Sequence, residues 1–166
     1  TDDYRLAVAR LHLEKARLLG RRYIWGAFLA DRVERNLAAA ELHVEQLGKP
    51  LDGYQTPGKR ELAYICPIDL SPEPFIVYVP TTYDPDTPHP LLMFLHGYDY
   101  YIDKVNWTET MYSPAMEELA EEHGWLVAMP YGRSNTEFMG LGEQDVLNVL
   151  DLMKRFYNVD ERRVVL

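Results

Sequence analysis

The chain has 166 residues, and its 26 acidic against 17 basic side chains give a formal net charge of −9. That balance excludes a typical nucleic-acid binder, which needs a cationic face for the phosphates, and argues equally against an anionic membrane surface. One cysteine, Cys66, excludes an internal disulfide and a Cys-rich zinc site, and no apolar run approaches the roughly 20 residues of a bilayer span.

Residues 1 to about 48 contain no proline and are rich in Ala, Leu, Arg and Glu. Leu6, Ala9, Leu13 and Ala16 fall at helical spacing and Gly20 marks a break. Val33, Leu37, Ala40, Val44 and Leu47 form a second stripe, as an amphipathic helix requires. Gly48 and Pro50 supply its stop, because glycine takes a left-handed cap and proline cannot continue a helix. The spacing predicts a helical hairpin over residues 1–50, ahead of a domain over 51–166. The stripe must be buried on something. It is a packing element laid on the following domain, or an arm for homo-oligomer formation or a lid.

From Leu51 the punctuation changes. Gly53, Pro57 and Gly58 make a turn-rich linker. Glu61–Cys66 reads as a strand, in which Cys66 is a small buried hydrophobe. Phe75–Val79, bounded by Pro74 and Pro80, reads as a stronger strand, and the proline-rich stretch Thr81–Pro90 as a loop. Leu91–Leu95 is a continuous apolar run, as expected for a strand buried on both faces. Trp107–His123 reads as a helix ended by Gly124, Trp125–Met129 as a strand stopped by Pro130, Gly142–Tyr157 as a helix, and Arg163–Leu166 as the start of a further strand. A hairpin-like start followed by βαβαβ predicts an α/β fold with a mixed, mostly parallel sheet and helices on its faces.

In open α/β sheets ligands gather at the carboxyl ends of the strands, so the loops after Leu95, Met129 and Leu166 are the places to inspect. The first reads His96-Gly97-Tyr98-Asp99-Tyr100-Tyr101. Glycine there permits a sharp turn and close approach of a ligand, and the peptide N–H groups that follow can serve as fixed donors to an oxyanion. The same pair also reads as a histidine satisfying a loop and a glycine turning the chain. The aromatics from Tyr98 to Trp107 line a pocket for an acyl or aryl group, or simply cover the sheet edge. Glu143 and Asp145 suit a helix N-terminus, or brace the loop that carries Arg133.

The run Pro90–Tyr98, a helix, Gly124–Arg133, and a helix ending in Tyr157–Leu166 resembles the α/β-hydrolase superfamily. The resemblance is closest to serine esterases such as polyhydroxyalkanoate depolymerases and feruloyl esterases, and it covers about residues 60–166. It leaves the first 50 residues unexplained. It implies that this chain is the N-terminal half of an α/β-hydrolase sheet preceded by a helical hairpin, ending just before the Gly-x-Ser-x-Gly turn that carries the family's nucleophile. It implies an oxyanion hole at Gly97 and Tyr98, with the Tyr98 N–H as the donor, and substrate contacts at His96, Tyr100 and Trp107. The triad of Ser, Asp or Glu, and His would lie beyond Leu166, so the rest of the hydrolase domain is an expected partner.

Of the three serines, Ser71 lies in a proline-rich turn, Ser113 precedes Pro114, and Ser134 follows a strand in Gly132-Arg133-Ser134-Asn135. Asn135 stands where an elbow needs glycine, so Ser134 reads as a rim residue or one bonding its own turn. His12, His43, His89 and His123 read as structural or solvated, and no His/Asp/Glu set has zinc spacing. The expectation is hydrolysis of a small or polymeric carboxylic ester by acyl transfer, without cofactor or metal. A peptidase of the same fold and a non-catalytic binding or assembly module remain as rivals.

Overall fold

The computed structural model describes residues 2–21, 26–49 and 53–166, with the backbone alone for 26–28. The expected boundary at residues 50 and 51, with the stop at Pro50, lies outside the described residues. The chain forms two compact units, Thr1–Leu51 with Ala63–Pro74, and Asp52–Leu62 with Phe75–Leu166.

In the first unit α1 (Asp2–Gly20) packs on α2 (Gly26–Glu45). Arg5 donates to the carbonyls of Gln46 and Lys49, and Asp2 accepts the Gly48 N–H at 2.9 Å. Together they satisfy groups beyond the end of α2 that no helical partner reaches. Gly48 has φ of 76°, the left-handed turn anticipated there. Ala9, Ala16 and Ala40 of the expected apolar stripes are buried, while their leucines and Val44 are corrected. α1 buries Tyr4, Val8, Leu11, Lys15 and Leu19, while Leu6 and Leu13 are exposed. Two helical phases coexist in α1, and long side chains such as Lys15 bury their stems as readily as leucine does. On α2 Ala40 is buried but Leu37 and Val44 are exposed, as is Leu47 beyond its end. The seam instead holds polar groups: His12 Nδ1 lies 2.8 Å from Asn36 Oδ1, and the rings of His12 and His43 stack at 6.0 Å.

The sheet has five strands, β1 (Gly58–Ile65), β2 (Pro72–Val79), β3 (His89–Met93), β4 (Leu126–Pro130) and β5 (Val159–Val165), in the order β1-β2-β4-β3-β5. β2 runs antiparallel to β4; β3 runs parallel to both β4 and β5. The fold is therefore α/β with a mixed sheet that is parallel in its later part, as the alternation of elements implied. The expected helix from Trp107 to His123 is two helices, α3 (Trp107–Met111) and α4 (Ala115–His123). Pro114 separates them, since the residue before a proline is driven out of the helical region. α5 spans Leu141–Phe156. β3 begins at His89, inside the stretch read as a loop, and its pairing with β5 shifts register between His89 and Leu91. Pro90 lies at that shift and has no N–H to give the ladder.

Alternate strand residues take opposite faces. Ile76, Tyr78, Val127 and Met129 share a buried cluster with Met116 and Ala120 of α4 and with Trp107, Ile102 and Tyr131. The intervening Val77, Ala128, Leu126, Leu91 and Met93 are also buried, and α5 contacts β4. Right-handed crossovers in opposite directions put α5 on that second face. Among the described residues no helix is long and apolar enough to cross a membrane.

Candidate active site

β3 leads to β4 on one side, and β4 then leads back across β3 to β5. The strand order reverses at β3, which makes the crevice at the carboxyl ends of β3 and β5 the natural ligand position of such a sheet. Leu92 is level with Val165, so the residues that end β5 emerge beside the residues that follow β3.

Those residues are His96, Gly97 and Tyr98. The ladder runs one residue past β3, where the Phe94 N–H donates to the Ala128 carbonyl at 2.8 Å. His96 is then turned inward, 7% exposed. Its Nδ1 lies 2.8 Å from the Gly97 carbonyl oxygen and its Nε2 2.9 Å from the Tyr131 carbonyl oxygen. Both neighbours are acceptors. His89 also bridges backbone groups: its Nε2 accepts the Asp84 N–H at 3.0 Å and its Nδ1 faces the Gly124 carbonyl at 3.0 Å. His89 is a structural histidine, as read from the sequence.

The bond to Gly97 orients the next peptide. In a trans peptide the C=O and the following N–H point in opposite directions. With the Gly97 oxygen drawn toward His96, the Tyr98 N–H points away from it. Among the described residues neither the Gly97 nor the Tyr98 N–H has a protein acceptor. Gly97 has no left-handed φ, and a Cβ built on it would meet nothing within 4 Å. The sharp-turn reason for glycine is thus corrected: neither backbone nor packing demands it, and the space over it is open.

The expected substrate contacts separate. Tyr100 is 76% exposed, edge-on to Tyr101 at 5.0 Å. Trp107 is fully buried, donates its indole N–H to Glu61 at 3.0 Å, and packs edge-on against Tyr131. It is a core pillar and not a pocket wall, because an indole with a buried hydrogen-bond partner is held where its large apolar area leaves water. His96 is likewise corrected: both ring nitrogens are spent on backbone carbonyls, so it acts on the loop and not on a ligand. Between Tyr98 and Trp107 the loop is stapled by its own side chains. Asp99 accepts the Tyr101 N–H, Asp103 those of Val105 and Asn106, and Asn106 that of Asp103, each within 3.1 Å.

Among the described residues none of the three serine hydroxyls is hydrogen-bonded to a histidine. Ser71 Oγ lies between the carboxylates of Asp69 and Glu73. Ser113 Oγ accepts the Ala115 N–H at 3.3 Å. Ser134 donates to the Ile102 carbonyl at 3.0 Å, so it ties two loops together and does not bond its own turn. Among the described residues no group of three or more His, Cys, Asp or Glu is placed to hold a metal ion.

Sequence reasoning placed a loop after β4 but missed its backbone conformation. Arg133, Ser134, Glu137 and Phe138 all have left-handed φ, between 53° and 68°. Arg133 Nε donates to Asp145 Oδ2 of α5 at 2.9 Å, the carboxylate 2% exposed. That realises the brace foreseen as an alternative for Asp145. Phe138 stands edge-on to His96 at 5.0 Å. A Cβ on Gly132 would lie 2.3 Å from the Phe138 ring, which is why glycine occupies that position. Nothing in local propensity marks four non-glycine residues for this conformation.

No family model matches the chain, and no curated protein matches it. Solved structures that resemble it are hydrolases. FphF, a fluorophosphonate-binding serine hydrolase of Staphylococcus aureus, is 24% identical over 64% of this chain and 44% of its own, with a TM-score of 0.46. The CE1 ferulic acid esterase AmCE1/Fae1A of Anaeromyces mucronatus is 17% identical over 69% and 50%, at 0.41. An arylesterase is 15% identical over 90% and 48%, at 0.45. The chain spans half or less of the length of each. At these scores the likeness adds no residue roles, and the α/β assignment rests on the strand order and crossovers described above.

Proposed function

We propose that this chain carries the oxyanion side of a serine hydrolase that cleaves carboxylic esters. The observation that supports this reading is the Gly97 carbonyl oxygen held against His96, which turns the Tyr98 N–H away from that ring. A donor fixed before charge develops stabilises a tetrahedral oxyanion without reorganising during the reaction, and one such donor is worth about 10²- to 10³-fold in kcat. The nucleophile belongs to a segment following β5, whose carboxyl end lies level with β3. A serine there attacks the ester carbonyl, a histidine takes its proton, and the carbonyl oxygen becomes the anion that Tyr98 receives. Tyr100, exposed in the loop after β3, is the proposed contact for the departing or acyl group. The rest of the hydrolase domain is the partner this reading requires.

The test uses the intact protein. It is expected to react covalently with a fluorophosphonate probe and to hydrolyse p-nitrophenyl esters. Absence of both would remove the reading, and turnover of peptide anilides in place of esters would make it a peptidase.

A further inference from the structure

We propose that Asn135 is a positioning residue that sets the direction of the Tyr98 N–H, an inference that rests on the ester-hydrolase reading. Its side-chain amide engages both backbone groups of Asp99. Oδ1 accepts the Asp99 N–H at 3.2 Å, and Nδ2 donates to the Asp99 carbonyl at 2.7 Å. The Asp99 N–H belongs to the peptide plane that follows Tyr98. The plane that precedes Tyr98 is held through the Gly97 oxygen by His96. Both planes flanking Tyr98 are therefore anchored, one by the buried His96 ring and one by Asn135 from the loop after β4, and a residue with only two soft torsions has none left to wander. The Tyr98 side chain is exposed and does nothing to hold its own N–H, so the anchoring falls to His96 and Asn135.

The segment presenting Asn135 is built for rigidity. Left-handed φ at a residue with a side chain costs on the order of 1 kcal/mol or more, and it persists where the surroundings over-determine it. Here the surroundings are the Arg133–Asp145 pair, the bond from Ser134 to Ile102, the 2.6 Å bond from Thr136 to the Gly132 carbonyl, and the contact of Phe138 with His96. Asn135 itself is exposed. Hydrogen bonds that compete with water there add little to stability, so their effect is on direction.

The experiment compares the intact wild-type protein with Asn135→Ala. We expect kcat for a p-nitrophenyl ester to fall about 10- to 100-fold, short of losing the donor outright, with KM within about twofold. Affinity for an aryl boronic acid, a tetrahedral mimic, falls in parallel with kcat, and the melting temperature stays unchanged. Unchanged kcat and boronate affinity in the variant, beside an active wild type, would overturn the positioning role alone. A fall in kcat matched only by a loss of folded protein overturns it too. A wild type that neither reacts with fluorophosphonate nor hydrolyses esters overturns the hydrolase reading and this one with it.

Discussion

His96 Nε2 stands 2.9 Å from the Tyr131 carbonyl oxygen, so one buried ring ties the carboxyl end of β3 to that of β4. Its other nitrogen holds the Gly97 oxygen. His96→Ala removes the ring from the buried Tyr131 carbonyl, which costs about 1–3 kcal/mol, and it frees the peptide that carries the Tyr98 N–H. The expected result is a lowered melting temperature together with a fall in kcat larger than the loss of folded protein. A variant of full activity would show that the ring is not what orients Tyr98.

Gly97 separates fold from function. Its φ is not left-handed and a Cβ there meets nothing within 4 Å. Gly97→Ala therefore leaves the melting temperature within about 2 °C, since a surface change of this kind stays within about 0.5 kcal/mol. If substrate approaches the backbone here, the added methyl occupies its path, and kcat/KM falls by at least about tenfold, or 1.4 kcal/mol. Equal activity in the alanine variant would place the substrate elsewhere.

The Arg133–Asp145 pair is the hidden support of the strained loop, with both side chains largely out of water. Removing one member of a buried pair costs about 3–5 kcal/mol, because the remaining charge keeps its desolvation penalty. Asp145→Ala is expected to lower the unfolding free energy by that amount in urea titration. Exchange of the amide hydrogens of residues 132–138 should rise with it. A loss under 1 kcal/mol would mean that the pair does not hold the loop.

The helical hairpin should weaken in acid. Burial holds the His43 imidazole below its ordinary value of 6.5, and the charges of His12 and Arg5 add to the effect. The neutral ring is thus favoured in the folded state. As pH falls through 6.5 toward the lowered value, the unfolded chain takes up the proton first, so unfolding binds protons and stability drops. The melting temperature followed by circular dichroism is expected to decline from pH 7.5 to 5. His43→Leu should flatten that decline, and an identical decline in the variant would assign it to other groups.

Much of the sheet was legible because strands buried on both faces are written as unbroken apolar runs. Leu91–Met93 and Leu126–Met129 needed no partner to be recognised, and Gly124 and Pro130 bounded the second of them. Pro114 could have been read as the break it makes between α3 and α4. The helical stripes were harder. α1 carries two overlapping periodicities, and the choice between Leu6 and Leu11 is made by what lies opposite, which periodicity does not contain. His96-Gly97-Tyr98 was found from its place after a buried strand, while the inward turn of His96 onto two backbone carbonyls was not. Trp107 looked like a pocket wall because its partner Glu61 is 46 residues away.

By itself the sequence determined the alternation of strands and helices, the α/β class and the position of the loop after β3, since these follow from local periodicity and from the punctuation of glycine and proline. The tertiary structure alone decided that β5 lies beside β3, that His96 turns inward onto Gly97 and Tyr131, and that Asn135 reaches Asp99. Each of these joins residues from different elements. The energy that selects them comes from burial and from backbone groups that must find partners once water is excluded, and neither is defined until the chain has folded.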